Sequence, residues 1–469
     1  MKRLVFIILS LLFSFQIYAQ NNFNCFTILA GKYATDDESV MLAHNEDDGG
    51  DQTVNLYKVP HVVKQDSIGV KMKNGGTLRL SPTTFAVIWM EMPGMQFSDS
   101  YQNEYGVTIV SDACQSKEDQ GKLTDGGIGY WLRRAIALQA KTAREAVKIG
   151  GKLIEKYGYV SSGRTYSIAD KNEAWMLSAV KGKHWVAQRV PDDQVAIIPN
   201  YYTIGRIDLK DTLNFYGSKD IIDYARKRHW YEGNDAGFNF RQAYATQQSL
   251  KHPVNIERHW DAINRLSDTK YAITDTLPFS FYTKDLIKLP DLFRILRSHF
   301  EGTLLDKSKD YTLGSPHKTH RAICAQSTQY GFVAQLRAHV PDVLNPIWIS
   351  FVHPCSHTFV PLYNGIDRFS DDLHNFTDYQ SALQHHFDKF KRKRKHFFNT
   401  FIKDANKIDK KYLTRIKKRK IAIDKQEKAL LANQKKAEQK LFDKYKINNE
   451  ILGEELRKYF DYLIHYHLK

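Results

Sequence analysis

The sequence predicts an α+β protein built on antiparallel sheet, with a helical extension at its C-terminal end. Three observations lead there. Short β-branched and aromatic runs, punctuated by Gly, Asp and Asn, come early and return later as hairpins. Helical stretches are grouped between these runs instead of alternating with them, which argues against parallel βαβ units. From about Asn375 onward the composition turns to Lys, Ala, Glu and Gln, the content of long helices. No G-x-G-x-x-G, phosphate-binding loop or H-E-x-x-H sequence occurs, so nucleotide-binding and zincin chemistry have no support.

Residues 1–20 read as an export signal. Lys2 and Arg3 are followed by an apolar run from Leu4 to Phe15 and the small-residue exit Tyr18-Ala19-Gln20. That run is shorter than the about 20 residues a bilayer span needs, and no later stretch is long and apolar enough. The mature chain is therefore expected to be exported, periplasmic or secreted, without a membrane span. A lipid anchor on Cys25 is the competing reading, but Asn22, Phe23 and Asn24 are not the small apolar residues such attachment requires.

Strands are expected at 26–29, 40–43, 84–89, 106–110, 166–169, 174–178, 184–189 and 346–351. Helices are expected at 129–140, from Thr142 to the Tyr-Gly-Tyr stop at Tyr157, and at 285–300. Thr142 and Glu145 have the spacing of a capping box, and Ala146, Ile149, Leu153 and Ile154 keep a helical period. In the extension, Leu413, Ile416, Leu430, Leu441, Ile451, Leu456 and Phe460 are spaced apolar positions. They suit two or three helices packed on the main body.

The chain has 469 residues and a net charge of +16. Between His385 and Lys446 there are 22 Lys and Arg against 7 Asp and Glu, so nearly all the excess lies in the extension. It predicts a solvated basic face, not a nucleic-acid site; contact with anionic envelope material is the sharper alternative. Four cysteines, Cys25, Cys114, Cys324 and Cys355, are too few for a disulfide scaffold. His353, Cys355 and His357 alternate and could share a strand face that binds zinc. With three such residues and no second ligand motif, no metal or other cofactor is expected.

The chemistry concentrates at Cys25. If 26–29 and 40–43 form a hairpin turning near Thr35, Cys25 comes opposite a residue near Asn45, and paired strands lie about 5 Å apart. A thiol attacks a carbonyl as thiolate and needs a base. The neighbouring cluster His44-Asn45-Glu46-Asp47 could serve. So could the α-amine of Cys25 itself if the Asn24–Cys25 bond is cut, since that group titrates at about 7.7–8. Residues 21–24 would then be a short propeptide.

The stretches that follow resemble one family, the cysteine dipeptidases among the N-terminal-nucleophile hydrolases, relatives of penicillin V acylase and bile salt hydrolase. The resemblance is carried by CFTILAGK at 25–32, AHNEDD at 43–48, NEYGV at 103–107 and KTAREAVKIGGKLIEKYGY at 141–159. SSGRTYSIADKNEAWML at 161–177, HWVAQRVPDDQVAIIPN at 184–200, IGRIDL at 204–209, LRSHFEGT at 296–303 and RAICAQSTQYGFVAQLR at 321–337 continue it in order. It implies an αββα four-layer sandwich over residues 25–374, followed by the basic helical extension 375–469. It also implies hydrolysis of dipeptides or short peptides through a thioester on Cys25.

By the same resemblance Asp47 holds the α-amine or thiol, Asn200 helps form the oxyanion hole, and Arg321 lines the site. His44 and Asn45 are the expected substrate-binding residues. His44 departs from the family, which usually has arginine there. Two other functions fit the sequence: hydrolysis of an N-acyl amide such as a penicillin or a bile salt, and a catalytically idle envelope-binding protein that uses its basic tail.

Overall fold

The structure, a computed structural model, describes residues 25–47, 53–72, 75–92, 99–312, 314–370, 373, 396–445 and 449–466. The expected leader and propeptide, residues 1–24, and the first part of the expected extension lie outside the described residues.

The hairpin at Cys25 sits in the middle of the molecule. Strands β1 (Phe26–Ala30) and β2 (Val40–Asp47) pair antiparallel, with Thr27 opposite His44 and Phe26 opposite Asn45. Cys25, one residue earlier, therefore comes opposite Glu46. Every residue of both strands is buried. Alternation sends Leu29 and Leu42 to one face, Ile28 and Ala43 to the other.

Around this hairpin the chain builds two large antiparallel sheets. The eight-stranded sheet uses β3 (Asn55–Val59), β4 (Val87–Glu91), β5 (Asp99–Asn103), β6 (Thr108–Ala113), β7 (Tyr159–Ala169), β8 (Ala174–Gly182), β9 (Trp185–Val190) and β11 (Phe215–Gly217). Its order is β11-β9-β8-β7-β6-β5-β4-β3. The seven-stranded sheet adds β10 (Val195–Ile198), β12 (Ser280–Phe281), β13 (Thr328–Leu336), β14 (Pro346–Phe351) and β15 (Val360–Tyr363) to the hairpin. Its order is β12-β10-β1-β2-β13-β14-β15.

Three apolar cores separate four layers. One lies between the sheets and contains Leu29, Leu42, Val110, Met176 and Phe332. A second joins the eight-stranded sheet to helices α1 (Trp131–Ala137) and α2 (Ala143–Tyr157). A third joins the seven-stranded sheet to α3 (Pro253–Leu266) and α4 (Leu289–Leu296). This is the αββα sandwich.

Helix α2 shows how local sequence sets the packing. Thr142 caps it by accepting from Glu145 N at 3.1 Å, while the Glu145 carboxylate reaches one residue past the cap to Lys141 N, 2.8 Å. Gly151 lets the helix lie against β9, since a Cβ there would sit 2.0 Å from the Trp185 ring. Gly158 ends it at φ 80°.

Several expected bounds shift. The run 84–89 divides into a short ribbon strand, Thr83–Thr84, and β4. The helix expected at 285–300 shortens to α4, because Pro290 stands in its first turn and the chain before it is extended.

Within the extension three helices are described: α5 (Phe398–Asp409), α6 (Tyr412–Tyr445) and α7 (Asn449–Tyr466). Leu441, Leu456 and Phe460 join the inter-sheet core, whereas Leu413 and Ile451 face solvent. Lysines along α6, Lys417, Lys418, Lys425, Lys428 and Lys436 among them, are exposed. Two buried acids on the opposite face do the docking. Glu427 takes a fork from Arg297, and Glu438 takes one from Arg337 at 2.8 and 2.9 Å plus the Tyr363 hydroxyl at 3.0 Å. Removing one partner of a buried pair strands the other charge, at a cost of about 3–5 kcal/mol. Glu438→Ala is thus expected to lower stability by about 3 kcal/mol or more, read as a fall in the denaturant midpoint.

Candidate active site

The register of β1 on β2 places Cys25, Thr27, His44 and Glu46 on the face between the sheets. The Cys25 thiol donates to Glu46 Oε1 at 3.0 Å. Glu46 Oε2 meets His44 Nε2 at 3.2 Å, and His44 Nδ1 meets Thr27 Oγ1 at 2.7 Å. Thr27 in turn donates to Asp112 Oδ2 at 2.6 Å, from the end of β6 in the facing sheet. The chain of contacts thus crosses the sandwich from thiol to carboxylate, and all its members are buried.

Asp47 ends β2, where one oxygen accepts from Thr328 Oγ1 at 2.5 Å and the other faces Arg321 Nη2 at 3.6 Å. Arg321 is the one partly exposed member, its side chain 21% accessible. Asn200 follows β10 in the left-handed region at φ 74°, which asparagine tolerates better than most side chains. Its Nδ2 donates to Ala113 O at 3.2 Å.

A buried arginine that the sequence did not single out ties these parts together. Arg258, on α3, donates through Nη1 to the Cys25 carbonyl at 3.1 Å and through Nη2 to Asn200 Oδ1 at 2.9 Å. Because Arg258 only donates, it fixes which end of the Asn200 amide is oxygen. Nδ2 then points away with one N–H on Ala113 O and a second N–H left to offer.

The electrostatics oppose a thiolate in this state of the chain. Burial first, then the charges of Glu46, Asp112 and Asp47, push the Cys25 thiol well above its ordinary range. Burial raises Asp47 to about 6, against the pull of Arg321 and Thr328. Burial likewise raises Asp112 to about 6, against His44 and Thr27. Arg258 is lowered to about 10 by burial and by Arg321.

Of the residues predicted from sequence, Cys25, Asp47, Asn200 and Arg321 converge on one end of the hairpin. His44 is beside the thiol, with both ring nitrogens taken by Thr27 and Glu46. Asn45 is not brought there. A one-residue difference in register turns it to the other face, where Nδ2 donates to Leu296 O and Ile323 O, both at 2.9 Å. Residues 353–357 form a turn after β14 and share no strand face. His357 approaches Asp404, and His353 stacks on His317. Sequence reasoning passed over Thr27, Asp112, Arg258 and Thr328, and named Glu46 only as one member of the cluster beside the thiol. Period-2 alternation from Cys25 would have found Thr27; the remote residues carry no local signal.

Cys25 thus stands at the head of an inner strand of an αββα sandwich, ringed by carboxylates and with an asparagine amide tied to its carbonyl through Arg258. The sequence profile of peptidase family C69 matches residues 24–393, and the chain belongs to that family of peptidases. It is 27% identical over 353 residues to a probable dipeptidase of Latilactobacillus sakei, covering 72% of this chain and 74% of that one. It is 27% identical over 365 residues to dipeptidase A of Lactobacillus helveticus, covering 73% and 75%. Among solved structures, penicillin V acylase from Agrobacterium tumefaciens aligns over 70% of this chain and 82% of its own. The TM-score is 0.37 and the identity 10%.

The raised carboxyls make a checkable demand on stability. An aspartate held near 6 when folded and at about 3.9 when unfolded costs stability wherever it is ionised in the folded protein, above about pH 6. The cost is relieved as pH falls through 6 towards 4. In a Cys25→Ala background, Asp112→Asn should raise stability by about 1–3 kcal/mol at pH 8, and urea titrations should show the gap closing between pH 6 and 4.

Proposed function

We propose that this chain is an exported cysteine hydrolase that cleaves dipeptides or very short peptides, with Cys25 as an N-terminal nucleophile. The observation that supports it best is the ring of Glu46, Asp47 and Asp112 around one buried thiol. Three acids suppress a thiolate while Cys25 is bonded through a peptide nitrogen. Cutting Asn24–Cys25 would replace that nitrogen with an α-ammonium, a charge those acids favour.

The freed α-amine, in its neutral form, takes the thiol proton and Sγ attacks the substrate carbonyl. Negative charge develops on the carbonyl oxygen and is met by the second N–H of Asn200, whose orientation Arg258 fixes. The α-ammonium returns its proton to the leaving amine, giving a thioester on Cys25. Water then adds to the thioester, the α-amine accepts its proton, and the acid product leaves with the thiol restored. Asp47, held by Thr328 and Arg321, steadies the ammonium form. The substrate class is carried by the dipeptidase relatives.

Mass spectrometry of the mature protein should find Cys25 at the N-terminus, and Cys25→Ala should fold yet hydrolyse nothing. An active protein that still begins before Cys25 would rule out the α-amine as base. Dipeptides assayed beside penicillin V and conjugated bile salts should be the substrates turned over. Asn200→Gly keeps a residue at home at φ 74° while deleting the donor. It should lower kcat by about 10²–10³ with little change in KM.

A further inference from the structure

Away from Cys25, three of the four described cysteines remain, and two of them face each other across a cluster of histidines. Cys324 lies in the loop before β13 and Cys355 in the turn after β14. His299 follows α4, and His317 stands on the short helix Pro316–Thr319. All four are buried, and neither cysteine is in a disulfide. Their ligand atoms all lie within 4.8 Å of one another.

The separations have a definite geometry. His299 Nε2 and His317 Nε2 are 3.3 Å apart. His317 Nε2 is 3.5 Å from Cys355 Sγ and 3.7 Å from Cys324 Sγ. A tetrahedral Zn²⁺ with bonds of about 2.3 Å to sulfur and about 2.0–2.1 Å to nitrogen sets neighbouring nitrogens about 3.3 Å apart and nitrogen and sulfur about 3.5 Å apart.

The outer partners fix the rings for ligation. His317 Nδ1 lies 3.0 Å from Asp409 Oδ1, and His299 Nδ1 lies 3.1 Å from Glu301 Oε1. Carboxylates accept, so each Nδ1 carries hydrogen, and each Nε2 is the nitrogen turned to the centre that would ligate once it holds no proton of its own. At 3.3 Å the two Nε2 atoms need a positive centre between them, a shared proton or the metal ion that would replace it. A carboxylate behind each ligating imidazole is the usual second partner in zinc sites. An apolar cluster of Tyr311, Ile408, Tyr412 and Ile416 lies alongside, with the Tyr412 ring edge-on to both imidazoles.

We propose that His299, His317, Cys324 and Cys355 bind one Zn²⁺ in a closed structural site. Two thiolates neutralise the ion, four protein ligands leave no position for water or substrate, and the donor set suits zinc over magnesium or calcium. The ion joins three loops of the catalytic body. Through Asp409, the last residue of α5, it also joins the extension. Cys324 is three residues from Arg321 and four from Thr328, so the metal would also hold the loop that addresses Asp47.

Untagged full-length protein, in the Cys25→Ala background so that hydrolysis plays no part, is analysed for metal by plasma mass spectrometry. About one zinc per chain is expected. Cys324→Ser and Cys355→Ser should lose it, while Cys114→Ser, at a buried cysteine elsewhere, should keep it. Should the serine variants fail to fold, protein stripped with chelator and titrated with Co²⁺ decides the matter. The visible bands of tetrahedral cobalt with thiolate-to-cobalt charge transfer support the site. Folded protein with no zinc and no cobalt uptake, or a Cys324–Cys355 disulfide in the native protein, overturns it.

Discussion

The pairing register of β1 on β2 is the constraint on which the site depends. A slip of one residue would turn Asn45 towards the thiol and drive His44 and Glu46 into the apolar layer against α4. Two features hold the register. Leu29 and Leu42 pack between the sheets, while Phe26, Ile28, Met41 and Ala43 pack towards the helices, so both strands are sorted on both faces. Asn45 then acts as a pin, its amide donating to the carbonyls of Leu296 and Ile323. Gly331 on β13 makes room for it, since a Cβ there would lie 2.5 Å from Asn45 Oδ1. The residue expected to bind substrate instead secures the alignment that assembles the site.

Around Cys25 the dominant problem is burying acid. Glu46, Asp47 and Asp112 are fully buried, and ionised carboxylates in such surroundings need cations or donors. Arg321 and Thr328 serve Asp47; His44 and Thr27 serve Asp112 and Glu46. Arg258 supplies a further positive charge, and these hydrogen bonds go to two backbone carbonyls and the amides of Asn200 and Asn255, where it orients atoms. The remaining imbalance falls on the thiol. An α-ammonium at residue 25 would correct it at the one atom that processing changes, which makes the proposed cleavage an electrostatic switch as well as an exposure of the nucleophile.

What the sequence disclosed follows from how local each signal is. Cys25, the hairpin and the capped helix α2 are short-range patterns, and all were readable. Strand β13 was missed although it pairs directly with β2, because Thr328–Leu336 is buried on both faces and shows no alternation. Helix α3 was missed with it, and so was Arg258. The histidine and cysteine cluster shows the same limit at longer range. Its members at 299, 317, 324 and 355 have no ligand-motif spacing, and only the return of β14 beside β13 brings Cys355 to Cys324. The alternation of His353, Cys355 and His357 pointed to the right cysteine for the wrong reason.

His44 stands where the resemblance leads one to expect arginine, and its hydrogen bonds show how a histidine fits there. Thr27 gives its hydroxyl proton to Asp112, so its oxygen must accept from His44 Nδ1. Glu46 accepts from the thiol on one oxygen and offers the other to His44 Nε2. The ring is thus held on both sides, by Glu46 directly and towards Asp112 through Thr27, as the fork of a guanidinium would be. Thr27 supplies the reach that the shorter side chain lacks.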